Sequence, residues 1–183
     1  FDDYIVKQLV GKKAQPIVFD IGANMGQYGI VAALRGYRVY MWEAMPATAR
    51  LVWRTTQMNN LDNNVTIFEN GISDFRGAID MTMEAGNTGH ANINVKRANT
   101  VQKTNVATVD DFVDYVLGTS APGAELVVMK VDIEGQEMHM LVNASKLFSV
   151  LKPKVIMMEI SPQWATGCSL EELVWFLGTN GYK

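Results

Sequence analysis

The sequence predicts an α/β domain in which helices cover a parallel sheet. Three observations carry that expectation. Short apolar runs alternate with helical patterns along the chain. The stretch "VFDIGANMGQYG" sets a glycine-rich turn between the first run and the first helix, and the second run ends in an acid, Glu43. With 183 residues, 48% of them hydrophobic, the chain suits a single domain over 1–183 with its core over 15–182.

The elements follow in order. Pro16 to Ile21 is the first strand. Residues 27 to 35 are mostly apolar and read as a buried helix that Gly36 ends. Tyr37 to Trp42 is the second strand, and a helix over 46 to 60 places Leu51, Thr55 and Met58 on one stripe. Val65 to Glu69 is the third strand, with Ala78 to Met83 as an extra edge strand. Residues 84 to 106, rich in Asn, Thr and Gly, carry no period and read as a long loop of the kind that is often functional. Thr108 with Asp111 opens a helix whose face is Val109, Phe112, Val113 and Val116 and which Gly118 stops. Glu125 to Asp132 is the fourth strand. Residues 136 to 149 form one helix with Met138, Leu141, Val142, Ser145 and Phe148 on a stripe, and Val155 to Ile160 is the fifth strand. Ser169 and Glu172 make a capping box for a last helix with the face Leu170, Leu173, Val174 and Leu177.

Bulk properties exclude several classes. A net charge of −3 and a pI near 5.4 offer no nucleic-acid or anionic-membrane surface, and Lys12, Lys13, Lys152 and Lys154 read as solvated charges. Cys168 is alone, so neither an intrachain disulfide nor a cysteine metal cluster is expected. No apolar stretch reaches the roughly 18 residues of a membrane span. The sequence begins at Phe1 and reads as a piece of a longer chain, which leaves an N-terminal signal or anchor open; the cytoplasm is the default compartment.

In an open α/β sheet, ligands sit beyond the carboxyl ends of the strands, where the strand order reverses. The turn after Asp20 lies at such an end. Gly22 and Gly26 let backbone approach a ligand, and the helix that follows offers N–H groups suited to a carboxylate. Asp20 can accept hydrogen bonds from a ligand amine or from the turn itself. Glu43, 21 residues after Gly22, is placed to accept two hydrogen bonds from vicinal ribose hydroxyls. Together the two tips favour a nucleoside-containing cofactor. A dinucleotide site wants glycine where Asn24 stands. The D-x-G-x-x-x-G spacing is instead similar to the first motif of S-adenosylmethionine-dependent methyltransferases.

The likeness extends along the chain. "VFDIGANMG", "MWEAMP", "ENGISDFRG", "NTGH", "VATVDDF", "MKVDIEGQE", "VIMMEI" and "LEELVWFLGTNGY" resemble, in order and spacing, the FkbM-type methyltransferase family over residues 15 to 182. The resemblance implies a Rossmann-like class I methyltransferase sheet with helices on both faces, and S-adenosylmethionine as cofactor. It implies O-methylation of a hydroxyl on a sugar or secondary metabolite. By position, Asp20, Gly22, Ala23, Asn24 and Gly26 would line the methionine part of the cofactor, and Glu43 and Ala44 would hold the ribose end. Gly71 and Ile72 would lie near adenine, with Ser73 or Asp74 at its edge, and Asp132 would close the pocket. Gln136 stands where the family often has His. The last two strands of the usual sheet are not in the sequence, so the sheet reads as truncated, with its fifth strand left exposed.

Lys130, Asp132 and Glu134 alternate at the end of the fourth strand and share one side if the extended backbone persists. Charges in such a strand need partners or chemistry, and Glu159 is a candidate partner for Lys130. A methylated hydroxyl must lose its proton, so Glu134 or Asp132 is a candidate base, with Lys130 beside them. A divalent ion held by the pair would be an alternative, but two clustered oxygen ligands assign no metal site. His90, in "NTGHAN", is a further candidate base or acceptor contact, and Asn87 and Asn92 are candidate sugar contacts. His139 reads as structural, Trp42, Trp53, Trp164 and Trp175 as core residues, and the methionines as gap fillers. The competing readings are a nicotinamide-dependent oxidoreductase and a non-catalytic interaction module with this fold. The expected partner is a small-molecule or glycan hydroxyl acceptor.

Overall fold

In the computed structural model, strand β1 (Pro16–Ile21) runs up the middle of a five-stranded parallel sheet. Strands β2 (Arg38–Trp42) and β3 (Val65–Phe68) lie on one side of it, β8 (Glu125–Val131) and β9 (Val155–Met158) on the other. The structure describes residues 11, 14–83, 91–92, 100–159 and 169–183. The order β3-β2-β1-β8-β9 means that the chain first steps outward on one side and then crosses back. The reversal falls between β1 and β8, where ligands of such sheets bind. Register brings Ile21 level with Trp42 and Val131, so three strand tips end together.

The α/β expectation with a central parallel sheet holds, and all five strands fall within a residue or two of their expected bounds. β1 and β8 are buried along almost their whole length, as a sheet covered on both faces requires. One face, Ile17, Phe19, Ile21, Tyr40 and Trp42, packs on Val113 and Val116 of α3 (Asp110–Thr119) and on Val109 just before it. The other, Val18, Val39 and Met41, packs on Ala32 and Ala33 of α1 (Gln27–Leu34) and Val52 of α2 (Pro46–Met58). Among the described residues β9 is an edge strand, and its Met157 is exposed.

Several expectations are corrected. Residues 84 to 106 are not one loop. Thr100–Ala107 is strand β7, and with β4 (Gly71–Ile72), β5 (Gly77–Met83) and β6 (Ala91–Asn92) it forms a second, four-stranded sheet in the order β4-β7-β5-β6. β5 therefore has a neighbour on each side and is no edge strand. Helix α1 buries only its small residues, Gly29, Ala32 and Ala33, and exposes Tyr28, Val31 and Leu34. Helix α2 turns Ala49, Val52 and Thr56 inward, leaving Leu51 and Met58 exposed, because a close approach to the sheet admits small side chains best. The helix expected over 136 to 149 is broken into α4 (Glu137–Val142) and a π-helical turn, Leu147–Leu151, with Val142 exposed. Val109, not Thr108, caps α3, although the Thr108 amide does donate to Asp111 Oδ2 at 3.0 Å. The capping box of Ser169 and Glu172 is present at α5 (Leu170–Thr179), but Leu170 and Val174 face out. Trp53 and Trp175 are exposed, as are Met25 and Met58, so packing does not explain them. Among the described residues no helix is long and apolar enough to cross a membrane.

Candidate functional site

The turn after β1 is shaped by what packs against it. Gly22 has φ +76°, and a Cβ there would stand 1.9 Å from the Asp132 carbonyl oxygen, so no side chain fits between this turn and the tip of β8. Gly26, at φ +75°, meets Val52 of α2 in the same way. The Gly22 and Ala23 amides both donate to the Trp42 carbonyl, at 3.0 and 2.9 Å, and the Gly26 amide donates to Ala23. These N–H groups are therefore spent within the protein rather than offered to a ligand carboxylate. Asp20 takes another, the Gly29 amide of α1, at 2.9 Å through Oδ2.

Behind the turn lies a buried charge cluster. Asp20 is fully buried, and burial raises its carboxyl above the usual range despite the nearby Lys130 ammonium. Lys130 Nζ donates to the Gly22 carbonyl at 2.6 Å, lies 3.3 Å from Asp132 Oδ2 and 3.5 Å from Asp20 Oδ1, and sits 5.6 Å from the Tyr28 ring centroid. Its partners are thus Asp20 and Asp132, and not Glu159. The strand ends at Val131, and Glu134 takes a left-handed φ of +55°, so period two does not carry through to Glu134.

Glu43 sits at the tip of β2, 7% exposed. Its Oε2 accepts the Asn24 amide at 2.7 Å and its Oε1 the Met45 amide at 2.8 Å. Burial raises its carboxyl, against the opposing effect of those two amides. An ionised carboxylate has about four acceptor positions, so one backbone donor on each oxygen leaves each able to accept another.

These tips open onto a cleft of about 870 Å³, its solvent mouth included. Asn24, Glu43, Asp132, Glu134 and Gln136 give part of its lining a polar and charged character, around the bare backbone of Gly22. A second part of the lining is apolar and comes largely from the second sheet, with Ile79, Met81 and Val106 beside Ala44, Gly71 and Ile72. The second sheet is tied to the loop after β2 by a hydrogen bond from Thr104 Oγ1 to the Ala44 carbonyl. A Cβ on Gly71 would stand 3.0 Å from Val106 Cγ1 and 3.6 Å from Ala44 Cβ, so Gly71 lets these two residues pack close to the chain here.

Of the residues singled out from sequence, Gly22, Asn24, Glu43, Ala44, Gly71, Ile72, Ser73, Asp132 and Glu134 meet at this cleft. Asp20, Ala23, Gly26 and Lys130 are not among its lining residues and support it from behind. Asp74 turns to His139 instead, with Oδ2 3.1 Å from Nδ1, and this contact holds its carboxyl below the usual range. His90, Asn87 and Trp164 lie outside the described residues, and of Asn92 only the backbone strand is described. Sequence reasoning missed Thr48, Ile79, Met81, Val106 and Ile133. The alternation of Ile79 and Met81 within 77 to 83 was the available signal. Among the described residues no group of three or more candidate ligands is placed to hold a metal ion.

The sequence pattern of the Methyltransferase FkbM domain matches residues 20–183. Two solved structures share the fold. One is the precorrin-6y C5,15-methyltransferase of Geobacter metallireducens GS-15, at 14% identity and a TM-score of 0.51, covering 98% of this chain and 69% of that one. The other is the METTL16 MTase domain, at 14% identity and a TM-score of 0.52, covering 97% of this chain and 56% of that one. At that identity the likeness speaks for the fold alone. No curated protein matches the chain.

Proposed function

The chain belongs to the FkbM methyltransferase family, and from that premise we propose that it transfers a methyl group from S-adenosylmethionine to a hydroxyl of a sugar or secondary-metabolite acceptor. The observation that carries the reading is the buried Glu43 carboxylate facing the cleft with acceptor capacity to spare on both oxygens. Vicinal ribose hydroxyls would fill that capacity. The apolar lining of Ile79, Met81 and Val106 beside Gly71 suits a flat base, and Gly22, Asn24 and Asp132 would hold the methionine end. S-adenosylmethionine supplies, when bound, a methyl group activated by a positively charged sulfur.

The rest of the chemistry belongs to the chain. A hydroxyl becomes a good nucleophile as it loses its proton, and a carboxylate at the cleft wall can take it. Asp132 is engaged by Lys130, which suits it to holding charge in place. Glu134, on the turn beyond β8, is the proposed base. The cleft walls would orient the reacting groups, and holding oxygen, methyl carbon and sulfur in line removes a large part of the barrier to an in-line displacement. A dinucleotide reading fits less well: Asn24 stands where a pyrophosphate needs glycine, and its amide is already given to Glu43.

The test is a methyl-transfer screen of the protein with labelled cofactor against sugar and lipid-linked hydroxyl acceptors. Label in an acid-stable ether on one acceptor class supports the reading. Cofactor binding with no transfer to any hydroxyl, but transfer to an amine or carbon acceptor, overturns the O-methylation assignment. Failure to bind the cofactor at all leaves the non-catalytic module as the better account.

A further inference from the structure

Lys130 is a buried cation that touches two cleft-lining groups from behind. Its Nζ lies 2.6 Å from the Gly22 carbonyl oxygen and 3.3 Å from Asp132 Oδ2, and both residues line the cleft. On its inner side stands Asp20 Oδ1, 3.5 Å away, buried and without a hydrogen-bond partner among the described residues. The lysine side chain is only 9% exposed and that of Asp20 fully buried. A methionine would fill the same space with no desolvation cost, so packing alone does not require the charge. Fields from buried charges are weakly screened, and a ligand group resting on Gly22 or Asp132 lies within reach of this one.

We propose that Lys130 sets the preference of the cleft between a cationic ligand and its neutral counterpart. By offsetting the carboxylates around it, the ammonium keeps the sulfonium cofactor from being held far more tightly than the neutral thioether formed when its methyl is lost. Asp20 acts in the opposite sense, from the far side of the same ion pair. Lys130 and Asp20 are thus positioning residues for charge rather than ligand contacts. This inference rests on the S-adenosylmethionine reading above.

The experiment measures, by calorimetry at one pH, the dissociation constants of S-adenosylmethionine and of its demethylated thioether product. The proteins are the unaltered chain, Lys130→Met and Asp20→Asn. The asparagine is close to isosteric and keeps an oxygen for the Gly29 amide. Lys130→Met should shift the ratio of the two constants at least threefold toward the sulfonium ligand. Asp20→Asn should shift it at least threefold the other way. A purely structural role weakens both ligands together and leaves the ratio in place. Opposite shifts support the inference, and any other pattern overturns it. If Lys130→Met does not fold, the Asp20→Asn ratio decides by the same threshold. If the unaltered chain binds neither ligand, the cofactor reading fails first; if it binds both and the ratio does not move, this inference fails alone.

Discussion

The two walls of the cleft are built on opposite principles. The wall at the tips of β1, β2 and β8 is a set of backbone constraints and buried charges. Gly22 has no room for a side chain, Glu43 takes two backbone amides, and Lys130 joins Asp20 to Asp132. The wall contributed by the second sheet is apolar packing, with Ile79, Met81 and Val106 presented to the cleft by β5 and β7. The first kind of wall tolerates little change at Gly22, which has no room for a side chain, and at Glu43, without which the Asn24 and Met45 amides lose their acceptor. The second should yield gradually, because apolar contacts add in small increments.

The sharpest way to break that contrast is Gly22→Ala. The new Cβ meets the Asp132 carbonyl at 1.9 Å on a left-handed backbone, so the turn and the β8 tip must part. A loss of about 3 kcal/mol in unfolding free energy is expected in denaturant titrations. A variant as stable as the parent would mean that the turn is not under this constraint.

Next in size is Glu43→Gln. The amide has only one acceptor oxygen for the Asn24 and Met45 N–H groups and for the ribose hydroxyls that would share them. Cofactor affinity should fall by roughly 2 kcal/mol, from weakened charge-assisted bonds, in equilibrium binding. An unchanged dissociation constant would contradict the ribose assignment.

Met81→Ala on the apolar wall should cost about 1 kcal/mol of the same affinity, from lost apolar contact. If it costs more than Glu43→Gln, the comparison between the walls is inverted.

The smallest effect is in pH dependence. A carboxyl raised in the folded state gives a contribution that is full below its unfolded value and lost as pH rises through its folded one. Glu43 and Asp20 are of that kind. Asp111, lowered by its Arg76 partner, is of the opposite kind: its contribution is present above the unfolded value and lost as pH falls through the folded one. The melting temperature of Glu43→Gln relative to the parent should therefore be less favourable near pH 4 than near pH 7. For Asp111→Asn the relative melting temperature should be less favourable at pH 7. Parallel curves for the two variants would remove the electrostatic distinction.

The charged wall was also the legible one. Asp20, Gly22, Asn24, Gly26 and Glu43 lie within two dozen positions and form one recognisable spacing, even though Gly22 owes its lack of a side chain to Asp132 on β8 and Gly26 to Val52 on α2. The apolar wall depends on pairing Gly77–Met83 with Thr100–Ala107 across sixteen intervening positions. β7 reads as polar, "TVQKTNVA", and its Thr104 and Val106 reveal their role only once β5 lies beside them. The exposed stripe on α2 misled for a related reason. Contact with the glycine turn selects Val52 for the inside, and no helical period announces a neighbour that is itself a glycine. Glu134 shows the limit of strand periodicity, since the left-handed turn after Val131 ends the alternation on which its grouping with Lys130 depended.

The ribose site is decided by the crystal structure of the protein with the demethylated cofactor product bound. Both ribose hydroxyls should lie on the Glu43 carboxylate, and the base against Ile79 and Met81. A nucleoside bound elsewhere, or a Glu43 that keeps only its two backbone amides while the ribose contacts other residues, would contradict this placement.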